Sequence, residues 1–289
     1  MKVYSPTQTT RSMRCPMLNA LYKEGWREKY ITIPSLAGVV GKAVALGLGV
    51  YNNYRKQLEG KGRQIDSLAP SEKEDVIKYA MDVALRHCAD EMEELEKSEF
   101  VLAANTDRYL RQVQDRICGT VVGYISDDPI KPEYRIIAAE HDLGPEYGSA
   151  RIDLVYGIPE NAEKRILDYK TVSTKGQYYE RDMEKFRDFF NMLHYLWAWN
   201  DKYGEEILSY DICALVTLPY SSDLRTYPVH PETLALWYQA TKEHWLVMER
   251  IENGEMNPWM AAEHDNKWGK CGMWEACFKY RFDPQAMKS

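Results

Sequence analysis

Along roughly the first 120 residues, hydrophobic positions recur at intervals of three and four, the spacing of helices with one buried face. Ser5 suits a helix N-cap, Pro6 its first turn and Gln8 the reciprocal capping-box position, while Pro16 interrupts the helix after Cys15. A second helix is predicted over residues 37–59 and a third from Ser71 to Ser98, with Val76, Tyr79, Ala80, Val83 and His87 on one face. Asn105 to Gln114 reads as further helix. After Pro132 the period changes: YRIIAAEHDLG, GSARIDLVYG and RILDYKTV, separated by Gly, Pro and Asn, are predicted as successive strands. One helix is expected from Glu180 to Asp201, with an apolar stripe of Phe186, Phe189, Phe190, Leu193 and Trp197. A strand, SYDICALVTLPY, and a helix from Pro231 to Asn253 complete the pattern. With no repeat, low-complexity tract or linker, one domain over 1–289 is expected: a mainly helical part (1–132), a core (133–230), and a C-terminal helix with a cysteine-containing tail (231–289).

Composition adds bounds. Hydrophobic residues are 45% and charged residues 28% of the 289, which excludes a disordered or disulfide-scaffold chain. No segment approaches a spanning helix, and the N-terminus lacks the apolar core of a secretory leader, so a cytoplasmic protein without a membrane partner is expected. The six cysteines are then expected as reduced thiols or metal ligands. The net charge of −7 speaks against a phosphate-gripping protein until it is located. Between Ser71 and Glu99, ten acidic side chains face four basic ones. Around the strands, Arg165, Lys170, Lys175, Arg181, Lys185 and Arg187 reverse the sign, as do Arg11, Arg14, Lys23 and Arg27 near the start. An acidic outer helix and a basic channel are expected.

The strands carry the chemistry. Side chains alternate along a strand, so Asp168 and Lys170 share one face. An antiparallel hairpin brings Asp153 beside Asp168, and Glu140, in the preceding strand, supplies a third carboxylate. Carboxylates gathered around one lysine repel one another unless a hard cation neutralises them, which outlines a Mg²⁺ or Mn²⁺ site. An exposed hairpin with a solvated Asp and Lys is the alternative.

Gly148, Asp153, Asp168-Tyr169-Lys170-Thr171 and the helix after them resemble the RecB-like branch of the PD-(D/E)XK nuclease superfamily, especially phage and prokaryotic recombination exonucleases. In that branch an early carboxylate precedes a G-x-x-D strand, a D/E-x-K strand and a helix bearing Q-x-x-x-Y. Here Tyr195 matches and Asn191 stands where Gln is usual; with Arg187 they would form a polar stripe on that helix. The resemblance implies an α/β fold, a restriction-endonuclease-like mixed central sheet flanked by helices with a helical N-terminal elaboration. It implies Asp153, Asp168, Glu140 and the Tyr169 carbonyl as ligands to one or two metal ions. Lys170 would act on the attacking water, in a deoxyribonuclease serving recombination, repair or replication. DNA is the implied substrate, with Arg187, Lys175 and Arg181 along it; a single-strand annealing or helicase protein is an implied partner.

Departures accompany the match. Many relatives carry G-x-x-x-H on an N-terminal helix; the corresponding stretch begins at Gly41 and ends on Ala45, which ligates nothing. His87, His141 and His194 are the substitutes considered, each more simply a core or surface histidine. Several relatives hold an iron-sulfur cluster on one early Cys and a late C-x-x-C-x-x-x-x-x-C. Cys15, Cys271 and Cys277 fit three of those positions and Trp268 occupies the fourth, leaving a degenerate packing cluster or a ligand from elsewhere, such as His264. Gly41-Lys42 fails as a phosphate-binding loop and Gly47-Leu48-Gly49 as a dinucleotide fingerprint. Two other classes remain: a catalytically inactive nucleic-acid-binding relative, and a nuclease subunit active only within a repair or CRISPR-adaptation complex.

Overall fold

A computed structural model describes residues 1–15, 20, 36–97, 106–158, 163–172, 175–176, 179–187, 189–217, 220–256, 265–266 and 269–270. The chain divides into two compact units, one of 1–34, 144–150 and 232–289, the other of 35–143 and 151–231.

The smaller unit holds α1 (Pro6–Arg14), whose capping box forms as the sequence predicts: the Ser5 hydroxyl accepts from Gln8 N–H and the Gln8 side chain from Ser5 N–H. Gly148, at φ 69°, lies so close to the Tyr4 backbone that a Cβ would stand 2.5 Å from it, which fixes glycine there. Trp245, fully buried, donates its indole N–H to Thr9 Oγ1 at 2.9 Å. Cys15 is a buried thiol at the C-cap of α1; Cys271, Cys277, His264 and Trp268 lie outside the described residues.

The larger unit is a helical layer on a mixed sheet. Its helices are α2 (Leu36–Gly60), α3 (Pro70–Lys97) and α4 (Thr106–Ser126); its strands are β1 (Arg135–Asp142), β2 (Arg151–Ile158) and β3 (Glu163–Val172). Then come α5 (Tyr179–Glu184), α6 (Phe190–Tyr203), β4 (Ser209–Thr217) and β5 (Tyr220–Pro228); α7 (Pro231–Glu252) runs on into the smaller unit. A short pair, β6 (Asp265–Asn266) and β7 (Gly269–Lys270), follows. The sheet runs β1-β2-β3-β4-β5, antiparallel except for β3 and β4, which are parallel and joined through α5 and α6. This is the expected α/β restriction-endonuclease-like arrangement. No helix among the described residues is long and apolar enough to cross a membrane.

One sheet face is apolar through alternation: Leu154, Tyr156, Leu167, Tyr169, Cys213 and Leu215 join the core with α2, α3 and α4. Gly47 lets α2 approach α3, since a Cβ there would meet the Ala80 carbonyl at 2.8 Å. The core stripe of α3 is Val76, Ala80, Ala84, Cys88 and Met92; Tyr79, predicted inward, is 58% exposed, because one residue of drift moves a helical position off the narrow α2 contact. Glu74, Asp75, Asp82, Asp90 and Glu93 line its outer face, so the acidic helix is where the charge count placed it.

Two further predictions need correction. The segment 180–201 is two helices, because the Tyr210 hydroxyl from β4 accepts the Phe189 N–H at 3.2 Å and donates to the Phe186 carbonyl, pinning a turn between them. The predicted strand through Tyr220 ends at Thr217, and Tyr220 opens the polar edge strand β5.

Candidate active site

The register sets three carboxylates in line. Glu140 falls between Ala139↔Leu154 and His141↔Ile152, hence opposite Asp153, and the β2–β3 register, continued one step past Leu154↔Leu167, sets Asp153 beside Asp168. Ladder pairing stops at that step: the Asp153 carboxylate takes the place of a backbone acceptor and receives the Tyr169 N–H at 2.8 Å. Asp168 is buried and forms an ion pair with Lys170 two residues along the same face. The Lys170 ammonium also lies 5.3 Å from the centroid of the Phe189 ring.

Glu140 holds an unusual backbone. Its φ of 48° is in a region that non-glycine residues occupy at a cost of about 1–3 kcal/mol. The side chain packs over Gly49 of α2, where a Cβ would stand 2.4 Å from Glu140 Cγ. Its Oε1 is buried without a hydrogen-bond partner. Burial pushes its carboxyl up to about 7, with Arg151 pulling the other way. Burial likewise raises Asp153, further raised by Asp168 and then Glu140, against the Tyr169 N–H and Lys170, which lower it. Asp168 is raised by burial, with Lys170 opposing. The Tyr195 hydroxyl, on α6, is pushed far up, first by burial and then by Asp168, Asp153 and Glu140 together. Tyr195 therefore feels the field of all three carboxylates.

The remaining predicted positions divide. Tyr169 faces the opposite way: its hydroxyl accepts from Asn52 Nδ2 at 2.9 Å and lies 3.1 Å from the Tyr124 hydroxyl, leaving only its backbone at the site. Asn191 lies in the first turn of α6, one turn before Tyr195. Arg187 precedes α6, exposed and 3.1 Å from Glu184, so the expected helical stripe through Arg187 does not form. Lys175 and Arg181 are exposed, Lys175 standing 4.0 Å from Asp223. Arg165 is engaged elsewhere, on Glu163 and Thr226 Oγ1 and 3.8 Å from Asp211. Ala45 packs against the core. His87 lies 3.7 Å from Glu91, His141 is 2.6 Å from the Tyr203 hydroxyl, and His194 is buried with its ring against Trp197.

A carboxylate row on adjacent strands, with a lysine two residues after the last, sits where a mixed sheet changes from antiparallel to parallel pairing. The model of the PD-(D/E)XK nuclease superfamily matches residues 4–278. The chain belongs to the PD-(D/E)XK nuclease superfamily. No curated protein matches the sequence significantly. Nucleases of this superfamily generally use divalent metal ions. Among the described residues no three His, Cys, Asp or Glu side chains converge closely enough to hold one as they stand. The donor set nevertheless fits a hard cation in kind: it is all carboxylate oxygen, short of neutralising charge, with Glu140 Oε1 unpaired. Phe189 and Tyr210 went unpredicted at this PD-(D/E)XK site, since aromatic residues in an apolar stripe and a strand carry no chemical signal of their own.

Proposed function

We propose that this PD-(D/E)XK protein is a Mg²⁺- or Mn²⁺-dependent deoxyribonuclease, acting as an exonuclease in phage or bacterial recombination, repair or replication. The observation that carries the reading is the row Glu140, Asp153 and Asp168 with Lys170 paired to its last member. A site for binding DNA alone would not gather carboxylates that repel phosphate. The exonuclease assignment rests on the likeness of the 140–195 region to recombination exonucleases.

Glu140, Asp153, Asp168 and the Tyr169 carbonyl would hold the metal. When bound, a divalent cation supplies a more acidic water and a Lewis acid for the non-bridging phosphate oxygen. Lys170 orients the attacking water and stabilises the negative charge that develops on the phosphate oxygens. Asp153 fixes the height of β3 through the Tyr169 N–H, so the two faces of the site keep their spacing. Tyr195, its proton held far above neutrality, remains a neutral donor beside the carboxylates.

The test is a Mg²⁺-dependent assay on linear duplex, single-stranded and covalently closed circular DNA. Linear DNA is expected to be degraded and the closed circle spared. Lys170→Ala or Asp153→Ala is expected to lose about 10²–10³-fold in rate, comparable with loss of a transition-state charge stabiliser, while circular dichroism shows the fold retained. Full activity in either variant overturns the nuclease reading. Cutting of the closed circle overturns the exonuclease assignment alone.

A further inference from the structure

The break between α5 and α6 interrupts a stripe of phenylalanines that is helical in spacing from end to end. Two buried tyrosines impose it. Tyr227 donates to the Met183 carbonyl at 2.7 Å, and Tyr210, stacked on Tyr227 with ring centroids 5.4 Å apart, bonds both Phe186 and Phe189. The turn leaves Phe189 as the N-cap of α6, although phenylalanine offers no capping side chain, with Phe186 edge-on to it at 5.4 Å. What the break achieves is to put the Phe189 ring 5.3 Å from the Lys170 ammonium, whose ion-pair partner among the described residues is Asp168.

We infer that Phe189 is a positioning residue for Lys170, and that the Tyr210 hydroxyl holds Phe189 in place. An ion pair with Asp168 alone draws the ammonium down onto the carboxylate. The π face of Phe189 attracts the same cation without taking any of its three N–H donors, so the ammonium keeps donors to offer to water and phosphate. This inference rests on the nuclease reading, in which Lys170 acts on the reacting atoms.

The experiment compares Phe189→Leu, Phe189→Tyr and Tyr210→Phe in the full chain on linear DNA with Mg²⁺, reading kcat and KM separately and checking each fold by thermal melting. Phe189→Leu keeps apolar bulk but loses the π face; it is expected to lose about tenfold in kcat, the scale of a partly desolvated cation–π contact, with KM unchanged. Phe189→Tyr is expected to restore the wild-type kcat. Tyr210→Phe is expected to lower kcat in the same way, and it carries the test should Phe189→Leu fail to fold. If Lys170→Ala is inactive while both Phe189→Leu and Tyr210→Phe keep wild-type kcat, the inference fails and the nuclease reading stands. A kcat loss in Phe189→Leu that Phe189→Tyr does not repair also overturns it, since bulk rather than the π face would then be responsible. If Lys170→Ala is fully active, the nuclease reading itself has failed.

Discussion

Two buried charged clusters in the larger unit share helix α2 and differ in completeness. In the first, Arg55 spends all five guanidinium N–H groups: on Glu59, on Asp128 and on the carbonyls of Ile130, Lys131 and Tyr134, at 2.9–3.2 Å. Its carboxylates are occupied in turn, Asp128 by the Tyr51 hydroxyl and Ile130 N–H, Glu59 by Ile136 N–H. The cluster ties the 127–136 segment to α2 and delivers β1 in register. In the second, Glu140, Asp153 and Asp168 face one lysine, an oxygen of Glu140 has no partner, and the backbone of Glu140 is strained. A closed network fastens the fold. An open one stores unfavourable charge that an added cation would relieve.

The sharpest way to break this contrast is Arg55→Leu. It leaves two buried carboxylates facing no cation, and about 3–5 kcal/mol of stability is expected to be lost in urea unfolding. A loss below about 1 kcal/mol would remove the fastening role.

The open cluster is expected to respond to pH and metal. Glu140 titrates near 7 in the folded protein against an ordinary 4.5, so the folded state keeps its proton longer. The Glu140 contribution to cation-free stability should therefore fall as pH rises from about 4.5 to about 7 and level off above that. Glu140→Gln should flatten this part of a melting-temperature profile taken in chelator. Mg²⁺ at a hundred times its dissociation constant should stabilise the wild type at pH 7.5 by about 2.7 kcal/mol, and Asp153→Ala much less. A flat wild-type profile that Mg²⁺ leaves unmoved would sink the contrast from this side.

Gly49→Ala forces a Cβ against Glu140 Cγ. About 1–3 kcal/mol of stability and roughly tenfold in nuclease rate are expected to go together, compared by melting and by initial rates. The mildest change is Tyr169→Phe, which removes the hydroxyl shared with Asn52 and Tyr124; about 1–2 kcal/mol is expected to be lost, with DNA cleavage unchanged.

Much of this was legible in the chain. Asp153, Asp168 and Lys170 could be placed on one face because strand alternation is a local rule, and the Ser5 and Gln8 box because capping is local too. The α5–α6 break was hidden because a strand tyrosine more than 20 positions away decides it, against a stripe that favours continuity. β5 was missed because an edge strand such as Tyr220–Pro228 carries polar residues and lacks the apolar signal. Arg55 was invisible as one basic residue among several on a helix; only folding brings its five acceptors to it. The positive φ of Glu140 has no sequence signature at all.

Tyr169 belongs to both worlds of this sheet: its backbone N–H serves Asp153, and its hydroxyl is enclosed by Asn52 and Tyr124 in the helical layer. The two services use different atoms, so a substitution can remove one and leave the other. Any side chain that fills the space preserves the first, whereas replacing Asp153 removes the acceptor of the Tyr169 N–H together with a proposed metal ligand. Asp153 is thus the one member of the carboxylate row whose loss is also felt in the pairing of β2 with β3.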